Sequence, residues 1–400
     1  VSDAARTDWR AVWAIFAIGV VSAAYIGKAP PALPMLRSEL GLTLVESGLI
    51  ATMFNVIGGI VGIFAGMLAD RFGHKHAALA GLAALTAGGL LGVFAADYAA
   101  VLLGRFLEGA GFILTSVSGV ALVTQVTRPT DRPRAMALWS AYMPTGGAAA
   151  LVAAPWLLVT IGWRGLWLVV AALSAACLAL VLRAVPEVAA QARVGFARLA
   201  LESLAQRGSL LLCAAFIGYA AQWASVLVWL PTFAIDERGA STELAALLTA
   251  GMVAINVPGN LLGGPLMARG VGRAKLIVFA SCVQALSAAG IFLDVLPDAA
   301  RYACCLSFSF FGGLIPMAVI SGIAVHARTP AHIGTTNGMV MQVSQVGQFF
   351  GPMLVAWLAT RFAWSASLGA MLGYAALTLA AGMLIGRVEA NRSRAAQATR

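Results

Sequence analysis

Apolar runs follow one another along almost the whole chain, each about as long as a bilayer crossing, with short clusters of charge, proline and glycine between them. A helix needs about 20 apolar residues to cross the hydrocarbon core. Breaking the sequence at those clusters predicts twelve spans, the first six near 10–36, 44–70, 75–96, 98–127, 132–160 and 163–184. The second six fall near 209–237, 242–268, 273–295, 299–328, 332–361 and 364–387. One long polar stretch, 185–208 (VPEVAAQARVGFARLALESLAQRG), divides the chain into two halves, 1–184 and 209–387, and leaves a tail at 388–400. This linker is expected to form an amphipathic helix on the membrane surface, with Arg193, Arg198 and Arg207 toward lipid headgroups. The first apolar run, from Trp9 to Leu36, is too long for a cleaved signal and is expected to stay as span 1.

Composition agrees with the pattern. Hydrophobic residues make up 60% and charged residues 10%, whereas soluble domains carry about 25% charged residues. A water-soluble fold could not cover so much apolar surface. The net charge of +10 is explained by topology rather than by nucleic acid. Of the 26 Lys and Arg, five (Arg37, Arg164, Arg238, Arg301, Arg361) fall on one side, Lys28 and Arg105 lie inside spans, and 19 fall on the other side. That bias places both termini and the linker in the cytoplasm, and the chain as a multi-pass protein of a bacterial inner membrane. Cys177, Cys213, Cys282, Cys304 and Cys305 lie in apolar runs without metal-ligand spacing and read as small core residues. No metal or cofactor is expected.

The halves repeat. GMLADRFGHK (66–75) after span 2 corresponds to GPLMARGVGRAK (264–275) after span 8. ALPMLRSELG near the end of span 1 has a counterpart in WLPTFAIDERG of span 7, and SGVA (118–121) in SGIA (321–324). Gly146, Gly147 and Trp163 lie about half a chain before Gly347 and Trp364. Six spans return the chain to the same side, so the repeats are parallel.

GMLADRFGHK resembles the loop 2–3 signature of the major facilitator superfamily, G-x-x-x-D-R-x-G-[RK]-[RK], with His74 in one basic place. GRFLEGAG (104–111) resembles its span 4 signature, R-x-x-x-G-x-G. The resemblance implies an all-α integral membrane fold with twelve transmembrane helices in two pseudo-symmetric six-helix bundles. The resemblance further implies a central cavity between them, lined by spans 1, 4, 7 and 10. It also implies that Gly66, Asp70, Arg71 and Gly73 lock the cytoplasmic ends of the halves together, the aspartate facing a helix N-terminus. Gly58, Gly62 and Gly66 give span 2 a smooth face for close approach, and Gly73 is free to take positive φ. Ala268 stands where a second Asp70 would, so the lock should be asymmetric.

Three formally charged residues sit well inside spans: Lys28, Arg105 and Glu108. Each costs about 2.5–3.5 kcal/mol to insert, so such groups are functional or paired. Arg105 and Glu108 are three apart on one helix and can neutralise each other; Lys28 can snorkel toward headgroups. The chain uses 23 arginines and three lysines, and the other two lysines, Lys75 and Lys275, belong to the repeated loop. Arginine stays charged, whereas a buried lysine can lose its proton. Lys28 is therefore a candidate anion ligand, and Glu108, Lys28 and Arg105 are candidates for proton coupling. Tyr25, one turn from Lys28, shares its face. Together with Asn55, Tyr142, Gln222, Asn256 and Gln345 at mid-span, Lys28, Tyr25 and Arg105 make up the candidate solute ligands; the polar ones can equally bond helix to helix. Trp139, Trp223 and Phe311 are candidate walls. Pro30, Pro31 and Pro34, and Gly351-Pro352, interrupt their helices.

No phosphate-binding G-x-x-x-x-G-K-[ST] and no H-E-x-x-H occurs, so neither an ATP-driven pump nor a zinc hydrolase is indicated, and no enzyme is expected. The intramembrane charge of +1 disfavours a cationic solute. The sequence reads as a monomeric, proton-linked secondary transporter of a small organic anion, running inward. One alternative is a multidrug or metabolite exporter with Glu108 as its protonatable group. Against it, span 5 lacks the Gly-Pro pair of G-x-x-x-G-P-x-x-G-G. WLPTFAIDERG has some likeness to the cyanate and nitroimidazole transporter branch. A third alternative is a transporter-like sensor signalling through 388–400.

Overall fold

The structure, a computed structural model, describes residues 6–42, 44–187 and 195–398. The first half contains α1 (Trp9–Gly27), α2 (Ala29–Leu40), α3 (Leu44–Phe72), α4 (His74–Val93), α5 (Tyr98–Val126), α6 (Arg132–Ser140) and α7 (Tyr142–Ala184). After the short linker helix α8 (Phe196–Leu204), the second half contains α9 (Arg207–Asp236), α10 (Thr242–Ala268), α11 (Arg273–Phe292), α12 (Asp298–Gly312), α13 (Leu314–His326), α14 (Ile333–Arg361) and α15 (Ser367–Ala398).

Among the described residues, ten helical stretches are long and apolar enough to cross a membrane. One of them, Arg132–Ala184, is 53 residues long and turns at Gly162, whose φ of +68° only glycine adopts without strain. It supplies spans 5 and 6. The twelfth crossing is α14, which Asn337, Gln342, Gln345 and Gln348 make more polar than its neighbours. Span 1 is α1 followed by α2, and span 10 is α12 followed by α13. The break in span 1 falls at Lys28, which keeps helical dihedrals (φ −71°, ψ −28°). Pro30 and Pro31 have no N–H to return to the carbonyls of Ile26 and Gly27, so the ladder is interrupted while the path continues.

Within the first half α1 packs on α7 and α5, and α4 on α5 and α7; within the second, α9 packs on α14 and α15, and α11 on α12 and α15. The halves meet along two seams, α3 against α14 and α6–α7 against α10. The result is the two-bundle, twelve-helix arrangement expected from the repeat.

The linker docks on protein. Glu202 of α8 accepts from Arg198 Nε at 2.7 Å and pairs with Arg328 and His332 Nε2, each at 3.0 Å, just ahead of α14. Arg207 is exposed, and Arg193 lies outside the described residues. Hydrogen bonding to Arg198, reinforced by Arg328 and His332, holds the Glu202 carboxyl below the usual glutamate range. The contribution is therefore complete above the ordinary glutamate pKa and is lost as pH falls through the lowered one. Glu202→Gln is expected to loosen α8 from α14 and to speed protease nicking of the linker several-fold at neutral pH. At a pH below the lowered pKa of Glu202, wild type and variant should be nicked at similar rates. The expected tail is helical as far as Ala398: α15 runs on through it, and Glu389 there pairs with His326 at 3.0 Å and with Arg273.

Candidate functional site

At the face carrying most of the basic residues, the halves are clamped by one carboxylate. Gly73 takes φ +95° and turns the chain sharply after α3. Asp70, at the end of α3, accepts from Gly334 N at 2.8 Å, Thr335 N at 2.6 Å and Thr335 Oγ1 at 2.5 Å. These are free donors of the first turn of α14, where a helix favours negative charge. His74 Nε2 stands 3.4 Å from the same carboxylate. Arg71 points its guanidinium toward the Phe72 ring, 5.6 Å from the centroid.

The clamp closes a seam built from glycine. A Cβ on Gly66 would lie 2.3 Å from Gly334 O, one on Gly62 2.8 Å from Gly338 O, and one on Gly58 2.6 Å from Gln345 Cγ. Ile63 N donates to Gln342 Oε1 at 3.1 Å, and Asn337 Nδ2 to Ser116 O and Val117 O at 2.9 and 3.0 Å. On the second seam Gly264, the repeat partner of Gly66, meets the backbone of α6: its Cβ would lie 2.9 Å from Pro133 O. The halves thus touch from mid-membrane to the basic face. At the opposite face, α2 packs on α3 and α7 of its own half, and Trp229 and Phe233 pack on Trp364.

Above the closed seams lies a cavity lined by residues of both halves. Its walls are Phe112 (α5), Tyr142 (α7), Phe216, Tyr219 and Trp223 (α9), Asn256 and Asn260 (α10), and Ser344, Gln345 and Gln348 (α14), with Pro316 and Ile320 of α13. None of its described lining residues is charged. Tyr142 is held in place by stacking on Trp139, with ring centroids 4.5 Å apart, and by donating to Ser116 Oγ at 3.1 Å. Trp139 fits because Gly119 lies under it: a Cβ there would come within 1.9 Å of the indole.

The three intramembrane charges form one cluster behind this cavity, within the first half. Glu108 sits between two cations, with Lys28 Nζ 2.7 Å from Oε1 and Arg105 Nη1 2.6 Å from Oε2. All three side chains are at most 1% exposed. Arg105 also donates to Tyr25 O at 2.9 Å and Ile50 O at 3.1 Å, so it ties spans 1, 2 and 4 together. Lys28 Nζ lies over the rings of Tyr25 and Trp167, 4.1 and 4.3 Å from their centroids. Tyr25 Oη meets Ser174 Oγ at 2.8 Å, and Ser174 meets Thr86 Oγ1 at 3.0 Å. Gly88 makes room, since a Cβ there would lie 2.9 Å from Glu108 Cγ.

An aromatic partition separates cluster from cavity. Arg105 lies over Phe54 at 5.0 Å, Phe54 packs on Phe112 at 4.9 Å, and Phe112 is a cavity wall. Of the expected solute ligands, Tyr142, Asn256 and Gln345 line the cavity. Lys28, Tyr25 and Arg105 stand behind it. Gln222 turns to its own half, donating to Met371 O at 2.9 Å, and Asn55 is half-buried on α3, outside the cavity lining. Span 1 contributes no residue to the lining, because the Lys28 side of that helix is taken up by Glu108 and Trp167. Trp223 is a wall as expected; Phe311 instead packs on Phe279 and Phe310. Cys177, Cys213 and Cys305 are buried, whereas Cys282 is exposed.

A sequence model described as Major Facilitator Superfamily matches residues 13–352. The chain belongs to the Major Facilitator Superfamily. Within it, SauU of Cupriavidus necator, named a "probable sulfoacetate transporter", is 26% identical over 359 residues, which are 82% of each chain. The multidrug transporter mfsC of Aspergillus fumigatus is 30% identical over 139 residues, 34% of this chain and 27% of that protein. The first relatives matched, mfsC among them, are spanned over only 27–34% of their own lengths. The crystal structure of FucP, the fucose:proton symporter of Escherichia coli, superposes with TM-score 0.78 and 15% identity over 94% of this chain and 98% of FucP. At that identity the likeness shows the fold alone.

The carboxylate contact falls on one seam, at Asp70; on the other, Ala268 stands at the corresponding position and Gly264 packs on the backbone of α6. Asp70→Asn removes the charge that three donors converge on. Charge-assisted bonds contribute about 1.5–3 kcal/mol, so the clamp should weaken and the counterflow rate fall about tenfold or more with expression unchanged. Several site residues escaped the sequence reading. Asn260 is four residues from Asn256 and Gln348 three from Gln345, so helical spacing alone places each beside a residue already chosen. Trp167 carried no such signal, because its meeting with Lys28 depends on how span 6 is rotated.

Proposed function

We propose that this superfamily member is a secondary transporter that takes up a small organic anion together with protons, working by alternating access. The observation that carries the proposal is the separation of two sites that share one helix. On α5, Phe112 faces the neutral cavity, and one turn away Glu108 lies between Lys28 and Arg105. With Glu108 ionised the cluster carries +1; with a proton added it carries +2. A more positive cluster behind a thin aromatic wall favours an anion in the cavity, and the anion equally favours the proton, because coupling between two binding events is reciprocal. Low-dielectric surroundings strengthen that interaction. Mutually favourable binding of proton and anion is the requirement for symport.

With the basic face toward the cytoplasm, the clamped seams belong to an outward-facing state, ready to receive solute from outside. SauU, a relative matched over most of both chains, is named for an anionic solute, which supports this reading. The uncharged aromatic cavity favours a second one, a multidrug exporter, supported by the partial match to mfsC. Counterflow in proteoliposomes separates the two. Exchange of organic anions, with none of lipophilic cations, is expected; accumulation of cations alone would sink the anion reading.

A further inference from the structure

At the basic face a groove runs between the start of α9 and the end of the membrane-spanning part of α15. Arg207, Leu210 and Leu211 of α9 line it, with Leu384, Arg387 and Asn391 of α15. These residues stand in two layers. Arg207 opens the apolar stretch Arg207–Pro231, and Asn391 closes the stretch Trp364–Asn391. One helical turn separates Arg207 from Leu210 and Leu211, and one turn in the opposite chain direction separates Arg387 from Leu384. Both arginines therefore lie at the membrane edge, with the leucines deeper. Leu210 and Leu384 are exposed there, as are both arginines. Arg207 and Arg387 make no ion pair or hydrogen bond with any described residue. No described lining residue is acidic, and Glu389, two residues from Arg387, pairs instead with His326 and Arg273. Arg394, two turns beyond Arg387, continues the same exposed face. Gln206, which caps α9, makes no capping bond with its side chain, so the first-turn amides of α9 add positive potential at this level.

We propose that this groove holds an anionic glycerophospholipid of the leaflet on the basic side. Its phosphate lies between Arg207 and Arg387, and one acyl chain runs along Leu210, Leu211 and Leu384. The layering matches such a molecule, a negative head above a hydrocarbon tail. Guanidinium forks suit phosphate oxygens, and basic grooves between spans on the cytoplasmic side are places where anionic headgroups bind. A water-soluble phosphate would use the arginines and leave the leucine layer without an occupant. The site lies on the second half alone, away from the cavity and from the charge cluster, so it is independent of the transport reading.

Native mass spectrometry of the purified chain in detergent tests the proposal, with titration by phosphatidylglycerol, by phosphatidylcholine of the same acyl chains, and by inorganic phosphate. Phosphatidylglycerol is expected to bind about tenfold tighter than phosphatidylcholine or better, since it alone brings a net negative charge to two arginines. Arg207→Gln with Arg387→Gln should bring the two lipids within about twofold of each other. Arg10→Gln with Arg183→Gln removes the same charge from exposed positions at the basic face of the first half and should leave the preference intact. Hydrogen exchange of the unmodified chain locates the lipid even if the groove variant folds poorly. Phosphatidylglycerol should slow exchange severalfold at 207–214 and 384–391, and phosphatidylcholine should not. Equal affinity for the two lipids, an equal loss in the first-half variant, or protection confined to other segments overturns the proposal. Displacement of phosphatidylglycerol by an equal concentration of inorganic phosphate would assign the groove to free phosphate and overturn it as well.

Discussion

Glu108→Gln is expected to be the most damaging single substitution in the chain. It leaves Lys28 and Arg105, both buried, without a counter-charge. Removing one partner of a buried pair costs about 3–5 kcal/mol because the remaining charge is stranded, and here two cations are stranded at once. Thermal unfolding of the purified variant should show a large loss of stability, or the variant should fail to accumulate. The double variant Lys28→Met, Glu108→Gln removes one charge of each sign and preserves the net +1 on Arg105. Replacing a buried pair with groups of similar volume is often neutral, so the part of the loss that comes from stranding Lys28 should return, while Arg105 still lacks its counter-charge. Failure of the double variant to recover would mean that Glu108 stabilises through Arg105 alone, with Lys28 a bystander.

The second large effect is expected at Gly66. Its Cβ position lies 2.3 Å from a backbone carbonyl of the other half, and backbone cannot swing aside as a side chain can. Gly66→Ala should therefore disfavour closure of the basic face by about 1–3 kcal/mol, shifting the population by roughly fivefold to a hundredfold toward states open on that side. A membrane-impermeant thiol reagent applied from the basic side should label a cysteine placed at Ser344, on the cavity wall, correspondingly faster. On the proposed uptake reading, net uptake should fall, since the outward-facing state is depleted. Labelling unchanged from the wild type would show that the seam has another way to close.

Much of the architecture was legible because lipid imposes simple rules. Span length, the bias of basic residues and the half-chain repeat fix twelve helices and two bundles, and the loop signature places Asp70 at a helix N-terminus before any packing is known. The charge cluster was half legible: Arg105 and Glu108 are three apart on one helix, so their pairing follows from spacing. That Lys28 joins them, 80 residues away, depends on the rotation of span 1 about its own axis. A helix nearly apolar all round carries little signal of which side faces the cavity. For the same reason the expected charged cavity is instead a neutral, aromatic and amide-lined one with the charges one layer behind. Tyr142, Asn256 and Gln345 could be chosen as polar residues at mid-span.

Proton coupling and solute binding are proposed to occupy separate sites, the first at Lys28, Arg105 and Glu108 and the second in the cavity. Transport by the Lys28→Met, Glu108→Gln chain in proteoliposomes tests it most directly, with exchange of internal and external solute measured beside accumulation driven by an imposed pH gradient. Exchange is expected to persist at a rate within severalfold of the wild type while gradient-driven accumulation is lost. Accumulation at the wild-type level, or loss of exchange in a variant that remains folded, would contradict it.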